Sequence, residues 1–319
     1  MAQPKTGKDG YRASSLVCRR KRYPRPHPRG LGANVKNTVF NGASPNGFPG
    51  GFTVLMAVYR RDDVVLFERA VQSVYSNTLL PDAFVLVVDG PIPEALHNAI
   101  KCQEVRYGIE VLHLPANVGL ARALNAGLMR VHTKWVVRAD ADDYNVPDRF
   151  ALQAAVTRNE DSIDLVGGAI QEVEPDGRRL AVRRTVELHP DIRRYAAYRN
   201  PFNHMTVAYR TELALRCGGY PEIHLKEDYA LWALMLASGA RAHNLPDVLV
   251  RTTAGREMYR RRGGLRYALA EISLQRHLVR TGLKSRPKAL LQGLSRATVF
   301  LLPSVIRGWI YEKFLRASV

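Results

Sequence analysis

The sequence predicts an α/β fold in which a mostly parallel central sheet is flanked by helices. From residue 52 onward, short apolar runs alternate with amphipathic stretches of about ten or more residues, as in strands joined by crossover helices. The runs are apolar almost throughout, which indicates strands covered on both faces. Beyond residue 282, apolar and basic residues are interspersed, and this pattern predicts a C-terminal helical segment that associates with a membrane, the alternative being a helix that packs on the rest of the fold.

The first half of the folded region contains four predicted strands. Each is a run rich in Val, Leu, Ile or Phe that is bounded by polar residues, Gly or Pro. In an open parallel sheet, ligands bind outside the carboxyl ends of the strands. The runs are FTVLMAVY (52–59), AFVLVVDG (83–90), IEVLHL (109–114) and KWVVRAD (134–140).

Helices are predicted between these strands and in the less regular second half of the fold. Their apolar residues recur at the spacing of one helical face. A further apolar run, 165–170, lies between two of them. The predicted helices are 64–75, 94–106, 120–131, 147–159, 227–238 and 265–283.

Composition divides the chain into three segments. Residues 1–50 are rich in Pro, Gly, Arg and Lys, and we expect a disordered basic tail. Residues 51–282 hold the predicted fold, and residues 283–319 form the amphipathic C-terminal segment. The net charge of +18 divides into +9 for residues 1–50, −3 for residues 51–250 and +12 for residues 251–319. The basic ends favour an anionic partner, either membrane lipid or nucleic acid.

Cysteine usage and hydropathy indicate a reducing compartment. Cys18, Cys102 and Cys217 are scattered, without the paired spacing of a zinc site or a disulfide framework. The basic N-terminus is not followed by the apolar region of a secretory signal. No stretch reaches the roughly 18 charge-free apolar residues of a spanning helix. A cytoplasmic protein is therefore expected.

The strongest local signal is an acidic cluster that follows the fourth predicted strand. Asp140, Asp142 and Asp143 can converge on a divalent cation and leave open positions for diphosphate oxygens. Such a cation would neutralise the charge of a departing nucleoside diphosphate. The alternative is an Asp-rich turn that caps the next helix, and the residues alone leave both open.

A second acidic pair, Glu227 and Asp228, stands at the start of a predicted helix. A carboxylate there could act as general base for attack by an acceptor hydroxyl, or it could only cap the helix. His204 could contact an acceptor or be an ordinary loop histidine. The absence of GxGxxG, GxxxxGK[ST] and GxSxG argues against a dinucleotide fold, a P-loop and a serine hydrolase.

Six motifs, in their order along the chain, resemble the inverting family 2 glycosyltransferases, in particular those of bacterial exopolysaccharide, capsule and O-antigen biosynthesis. The resemblance covers about residues 52–282. It implies the GT-A fold, with a nucleotide-sugar half (51–145) joined to an acceptor half (146–282), and a Mn²⁺ or Mg²⁺ cofactor. The motifs are FTVLMAVYR, VLVVDGP, NVGLARALNAGL, VVRADADD, NPFNHMTVAYR and CGGYPEIHLKEDYALW.

The same resemblance implies a role for each matching residue. Asp228 is the expected general base, with Glu227 beside it, and Asp142 and Asp140 are the expected metal ligands, supported by Asp143. His204 and Trp232 are expected to contact the acceptor. The expected donor-binding residues are Ala57, Val58, Tyr59, Asp89, Arg122, Asn125, Arg138, Asp140 and Arg261.

The implied reaction transfers a single sugar, because the chain lacks the QxxRW motif and the multiple membrane spans of processive synthases. The implied partners are a nucleotide sugar, UDP-linked by preference, and a lipid-linked or oligosaccharide acceptor. The implied location is peripheral, at the inner face of the cell membrane, through the anionic lipid that attracts the C-terminal segment.

Three other functions fit the sequence less well than this one. A nucleic-acid-binding protein fits the charge, but the basic ends carry no aromatic stacking face or helix-turn-helix pattern. A sugar nucleotidyltransferase would carry a glycine-rich loop after the first strand, whereas this chain has VYRRDD. A non-catalytic relative of the same fold is disfavoured by the intact Asp140, Asp142 and Asp228.

Overall fold

A computed structural model describes residues 46–160, 162–174, 177–253 and 263–302. Residues 1–45 of the predicted tail and residues 303–319 of the C-terminal segment lie outside these ranges. The strands are β1 (Phe52–Val58), β2 (Ala83–Val88), β3 (Glu110–His113), β4 (Trp135–Arg138), β5 (Tyr144–Asn145), β6 (Ile163–Val173), β7 (Arg179–Arg183), β8 (Ala208–Arg210) and β9 (Arg241–Thr253). The helices are α1 (Val64–Tyr75), α2 (Glu94–Tyr107), α3 (Leu120–Leu128), α4 (Arg149–Asn159), α5 (His189–Tyr195), α6 (Thr211–Arg216), α7 (Glu227–Ala237), α8 (Leu265–Arg280) and α9 (Arg286–Leu301), with a 3-10 turn at His204–Thr206.

One sheet runs through the described residues in the order β3-β2-β1-β4-β8-β6-β9-β5, and β7 pairs with β6. The first four strands are parallel, as the alternation of strands and helices predicted. Strand β8 then runs antiparallel to β4 and β6, while β6 and β9 are parallel to each other. The sheet is therefore parallel in the first half of the chain and mixed in the second, and the predicted α/β fold is confirmed.

The two faces of the sheet bury separate hydrophobic clusters. Val54 and Met56 of β1 face α1, α2 and α4, whereas Leu55 faces α3, α6 and α7. Helix α3 approaches the sheet closely at Gly127, where a β-carbon would lie 2.5 Å from a Leu55 methyl carbon. This packing fixes the carboxyl ends of β1 and β4, from which the acidic residues emerge.

The two C-terminal helices form an antiparallel hairpin, and α8 packs on α7. Small residues of α9, including Ala289, Gly293 and Ala297, face α8 and allow the two helices to lie close together. Glu271 of α8 is fully buried and pairs with Lys226 at 3.7 Å and with Arg296 at 3.3 Å. No described helix is both long and apolar enough to cross a bilayer.

Candidate active site

Three side chains from distant parts of the chain meet at the carboxyl edge of the sheet. Asp140 follows β4, His204 begins the 3-10 turn, and Asp228 lies in the first turn of α7. The His204 Nε2 atom is 2.8 Å from Asp140 Oδ2, and its Nδ1 atom is 3.7 Å from Asp228 Oδ2. The imidazole therefore lies between the two carboxylates that the sequence assigned to separate roles.

Arg138 forms a buried ion pair with Asp140. Its guanidinium is almost fully buried, donates to the Leu55 carbonyl at 3.2 Å, and pairs with Asp140 Oδ1 at 2.5 Å. Burial alone would raise the pKa of Asp140, but Arg138 and His204 outweigh it and hold that pKa below its ordinary value. Arg138 is thus placed to hold an ionised carboxylate in one orientation.

The same carboxylates set the charge of His204. Burial lowers the pKa of the imidazole, but Asp140 and then Asp228 raise it, and the result is a pKa of about 9. At neutral pH the ring is therefore a cation between two anions, and both ring nitrogens are donors. This arrangement lets two carboxylates approach each other without strong mutual repulsion.

Asp228 is held by a second neighbour that the sequence analysis did not select. Asn200 donates from Nδ2 to Asp228 Oδ2 at 2.7 Å, and its own carbonyl oxygen accepts from the Phe202 amide at 3.2 Å. The signal was present, because Asn200 opens the quoted NPFNH motif beside His204. Glu227 is buried, and burial together with the charge of Asp228 raises its pKa.

The residues of the acidic cluster differ in exposure, and the difference bears on metal binding. Asp142 is exposed, whereas Asp143 is buried with an Oδ1 atom that has no hydrogen-bond partner in the described residues. Burial, and then the charges of Asp140 and Asp142, raise the pKa of Asp143 to about 8. An unpartnered carboxylate oxygen and an accessible carboxylate beside it suit a hard divalent cation. No group of three potential ligands converges among the described residues, so phosphate oxygens or water would complete such a site.

Asp62 is a further acid at this edge that the sequence analysis did not select. Its Oδ2 atom accepts from the Tyr59 amide at 2.8 Å, at the end of β1. Burial raises its pKa to about 6, the Tyr59 amide opposes the rise, and the charges of Asp142 and Asp140 add to it. Asp62 therefore lies within the electrostatic reach of the acidic cluster. The residues just before Asp62 in the chain include three that were expected to bind the donor, Ala57, Val58 and Tyr59, and Tyr59 is exposed.

Several residues expected to bind the donor make contacts within the protein. The Asp89 carboxylate is buried and accepts from the Asn117 side chain and from the Val118 and Gly119 amides at 2.7 to 3.0 Å. It therefore holds the loop that leads into α3. Arg122, on α3, forms an exposed ion pair with Glu222 at 2.8 Å.

Asn125 makes a two-point contact with the turn before α7. It donates to the Tyr220 carbonyl at 2.9 Å and accepts from the Tyr220 amide at 2.7 Å. Its amide thereby joins α3 to the segment that leads to Asp228. Arg261 lies outside the described residues.

The position of Trp232 corrects the expectation that it contacts the acceptor. Its side chain has no exposed surface and packs against the rings of Phe202, Tyr209 and Tyr220, whose centroids lie 5.4 to 6.3 Å away. Trp232 therefore anchors α7 in the hydrophobic core. Asp228, in the first turn of the same helix, is by contrast partly exposed.

Comparison with known proteins identifies the family. The model of the family described as glycosyl transferase family 2 matches residues 53–220. The chain is 36% identical over 266 residues to the Escherichia coli UDP-Gal:alpha-D-GlcNAc-diphosphoundecaprenol beta-1,3-galactosyltransferase, which covers 83% of this chain and 96% of that protein. It is 32% identical over 262 residues to the amylovoran biosynthesis glycosyltransferase AmsE of Erwinia amylovora, which covers 82% of this chain and 98% of that protein.

Solved structures share the fold at lower identity. A fragment of S. aureus TarS in complex with UDP-GlcNAc matches with a TM-score of 0.59 and 18% identity, over 84% of this chain and 76% of that one. The mannosyltransferase PcManGT from Pyrobaculum calidifontis, in complex with GDP-Man and Mn²⁺, matches with a TM-score of 0.53 and 19% identity, over 87% and 79%. The family match and the relatives together show that this chain belongs to glycosyl transferase family 2 and is a glycosyltransferase.

Proposed function

We propose that this glycosyltransferase moves one sugar from a UDP-sugar to a lipid-linked diphosphate acceptor, with inversion at the anomeric carbon. The observation that carries the proposal is the meeting of Asp140, His204 and Asp228 at one edge of the sheet. This edge is where open α/β sheets bind their ligands. It holds both an acidic cluster suited to a cation and diphosphate and a carboxylate suited to proton removal.

In this mechanism Asp228 is the general base. Its side chain is one-fifth exposed, so it can reach an acceptor hydroxyl, while Asn200 fixes the orientation of one carboxylate oxygen. A carboxylate within hydrogen-bond reach of the hydroxyl accepts its proton as the oxygen attacks the anomeric carbon. A single displacement of this kind inverts the configuration. Glu227 is turned into the protein and supports the start of α7.

The acidic cluster would hold the donor diphosphate through Mn²⁺ or Mg²⁺. Asp142 is the accessible ligand, because both oxygens of Asp140 are already engaged by Arg138 and His204. When bound, the cation neutralises negative charge on the departing nucleoside diphosphate. Arg138 and His204 keep Asp140 ionised beside it. Tyr59, Asp89, Arg122 and Asn125 remain the proposed donor-side residues.

The proposed substrates follow from the relatives. The Escherichia coli relative is named for UDP-Gal as donor and for a GlcNAc-diphosphoundecaprenol acceptor. Since this chain matches 96% of that protein, we propose the same chemical classes for it. A lipid-linked acceptor would place the enzyme at the inner face of the membrane, with the C-terminal segment against anionic lipid.

A donor panel tests this function. Purified protein is incubated with Mn²⁺ and each of several UDP-, GDP- and dTDP-sugars, and release of free nucleoside diphosphate is measured. We expect slow hydrolysis of one UDP-hexose, suppressed by EDTA and by Asp142→Ala, with Asp148→Ala as the matched control on an exposed acid outside the cluster. Hydrolysis that is equally fast in EDTA, or in Asp142→Ala, would contradict the assigned metal site.

A further inference from the structure

An apolar groove runs between the two C-terminal helices, α8 and α9. Its volume is about 460 Å³, within the range of small-molecule sites. Ile272 and Val279 of α8 line one wall, and Leu290 and Leu294 of α9 line the other. Leu290 is 65% exposed and Leu294 is 58% exposed. This exposure is costly in water, because each side chain leaves apolar surface uncovered.

The apolar surface continues along the hairpin beyond the groove. Leu265 and Leu269 of α8 and Leu301 of α9 are each more than half exposed. They extend the same strip toward the far end of the hairpin, where Ala268, Ala297 and Phe300 pack together. A strip of this length suits a hydrocarbon chain better than a compact ligand.

The charge around the groove has one sign. Arg276, Arg280 and Arg286 line it near the turn that joins α8 to α9, and all three are exposed. None of them forms an ion pair with another described residue, and none of the residues lining the groove is acidic. The single carboxylate within residues 265–301 is Glu271, which is buried and already paired.

We propose that this groove binds an anionic phospholipid of the bilayer, with the chain between α8 and α9 and the headgroup phosphate at Arg276, Arg280 and Arg286. Apolar walls with a cluster of arginines at one end are complementary to a hydrocarbon chain that ends in a phosphate. In this proposal α8 also contacts the membrane, although it precedes residues 283–319, the segment that the sequence predicts to do so. It does not depend on the sugar that the enzyme transfers.

The packing of the hairpin supports a preformed site. Lys284, in the turn, is buried and donates to Gln275 Oε1 at 2.8 Å, while Gln292 donates to the Tyr198 carbonyl at 2.9 Å. Arg296 also donates to the Tyr198 carbonyl, at 2.8 Å. These contacts hold α9 to the body of the protein through its inner face. Its outer leucines therefore remain available to a lipid without unfolding of the hairpin.

Vesicle flotation with the full chain tests the site. Binding to vesicles of phosphatidylcholine alone is compared with binding to phosphatidylcholine mixed with phosphatidylglycerol, at low and high salt. We expect binding that requires phosphatidylglycerol and weakens with salt. Each of Arg276→Gln, Arg280→Gln and Arg286→Gln should weaken partitioning about fivefold, the equivalent of about 1 kcal/mol per basic residue. The double variant Leu290→Ser/Leu294→Ser should weaken it at least about tenfold.

Matched controls carry the same changes elsewhere. Arg130→Gln changes an exposed arginine in the turn after α3, and Val105→Ser changes an exposed apolar residue on α2; both variants should bind as the unmodified protein does. Circular dichroism and thermal melts check that each variant is folded. Equal binding to both vesicle types, or equal loss in the controls, would overturn the site. So would binding only to vesicles that contain a polyprenyl diphosphate, or a dimer lost in the leucine variant without any vesicle binding.

Discussion

At the scale of single residues, the site depends on a histidine that separates two carboxylates. Without His204, Asp140 and Asp228 would face each other in a partly buried cleft with one fewer cation to offset their charge. The imidazole also fixes the orientation of Asp140, whose other oxygen is held by Arg138. We therefore propose that His204 positions both Asp140 and Asp228.

Replacing His204 by Ala should lower kcat by about 10- to 100-fold, the range found when a supporting residue of a metal site is removed. The KM for the donor should rise as well, because Asp140 loses a partner. Steady-state kinetics with donor and acceptor varied separately would measure both. His132→Ala changes an exposed histidine and should leave both values unchanged. Wild-type kinetics in His204→Ala would remove the positioning role.

At the scale of secondary-structure elements, the turn before α7 determines where Asp228 lies. Gly218 and Gly219 both have positive φ angles, at 84° and 74°. At Gly219 a β-carbon would lie 2.3 Å from Asn125 Oδ1, whereas at Gly218 it would meet nothing within 4 Å. Asn125 makes both of its hydrogen bonds to the next residue, Tyr220. The close approach therefore couples α3 to the start of α7.

The two glycines offer a matched pair of variants. Gly218→Ala should cost about 1 kcal/mol of unfolding free energy, the cost of a positive φ angle for a residue with a β-carbon. Gly219→Ala should cost about 3 kcal/mol, because the Asn125 hydrogen bonds are disturbed as well. Denaturant unfolding of both variants would measure the difference. Equal losses would show that the contact with Asn125 does not stabilise the turn.

The elements themselves were largely predictable, and the exceptions have physical causes. Helix α1 has the predicted bounds, since Asp63 caps its first amides. Strand β9 was not predicted, because Pro246 interrupts its pattern and the pairing with β6 shifts register there. Motif order selected Asp140 and Asp228, which the fold brings to the same histidine, but it also selected Trp232, which packs in the core. Contacts across the fold, such as those of Asn200, require the structure.

At the scale of the whole molecule, the C-terminal hairpin supports the segment that carries Asp228, the proposed base. Glu271 of α8 pairs with Lys226, which immediately precedes Glu227 and Asp228. Arg296 of α9 pairs with Glu271 and donates a hydrogen bond to the Tyr198 carbonyl. Tyr198 lies two residues before Asn200, which donates to Asp228. The C-terminal hairpin and the candidate active site are therefore joined by two short chains of polar contacts.

Replacing Arg296 by Met should remove its contacts with both the Glu271 carboxylate and the Tyr198 carbonyl, while leaving the pair between Glu271 and Lys226 in place. We expect a loss of about 2 kcal/mol in unfolding free energy, because a hydrogen bond to the buried Glu271 carboxylate is removed. A lower kcat with an unchanged donor KM should accompany it. Arg216→Met, which removes an exposed ion pair with Glu212, is the control. A loss of stability without any change in kcat would separate the hairpin from catalysis.

The most direct test of the account is transfer by Asp228→Asn. Turnover is measured from a UDP-hexose to a short-chain GlcNAc-diphosphate lipid, and donor binding is followed by thermal shift in the presence of Mn²⁺. We expect about a thousandfold loss of kcat, the size of a general-base contribution, with donor binding retained and the anomeric configuration inverted in the wild-type product. Turnover close to that of the wild-type protein, or a retained configuration, would contradict a single displacement assisted by Asp228.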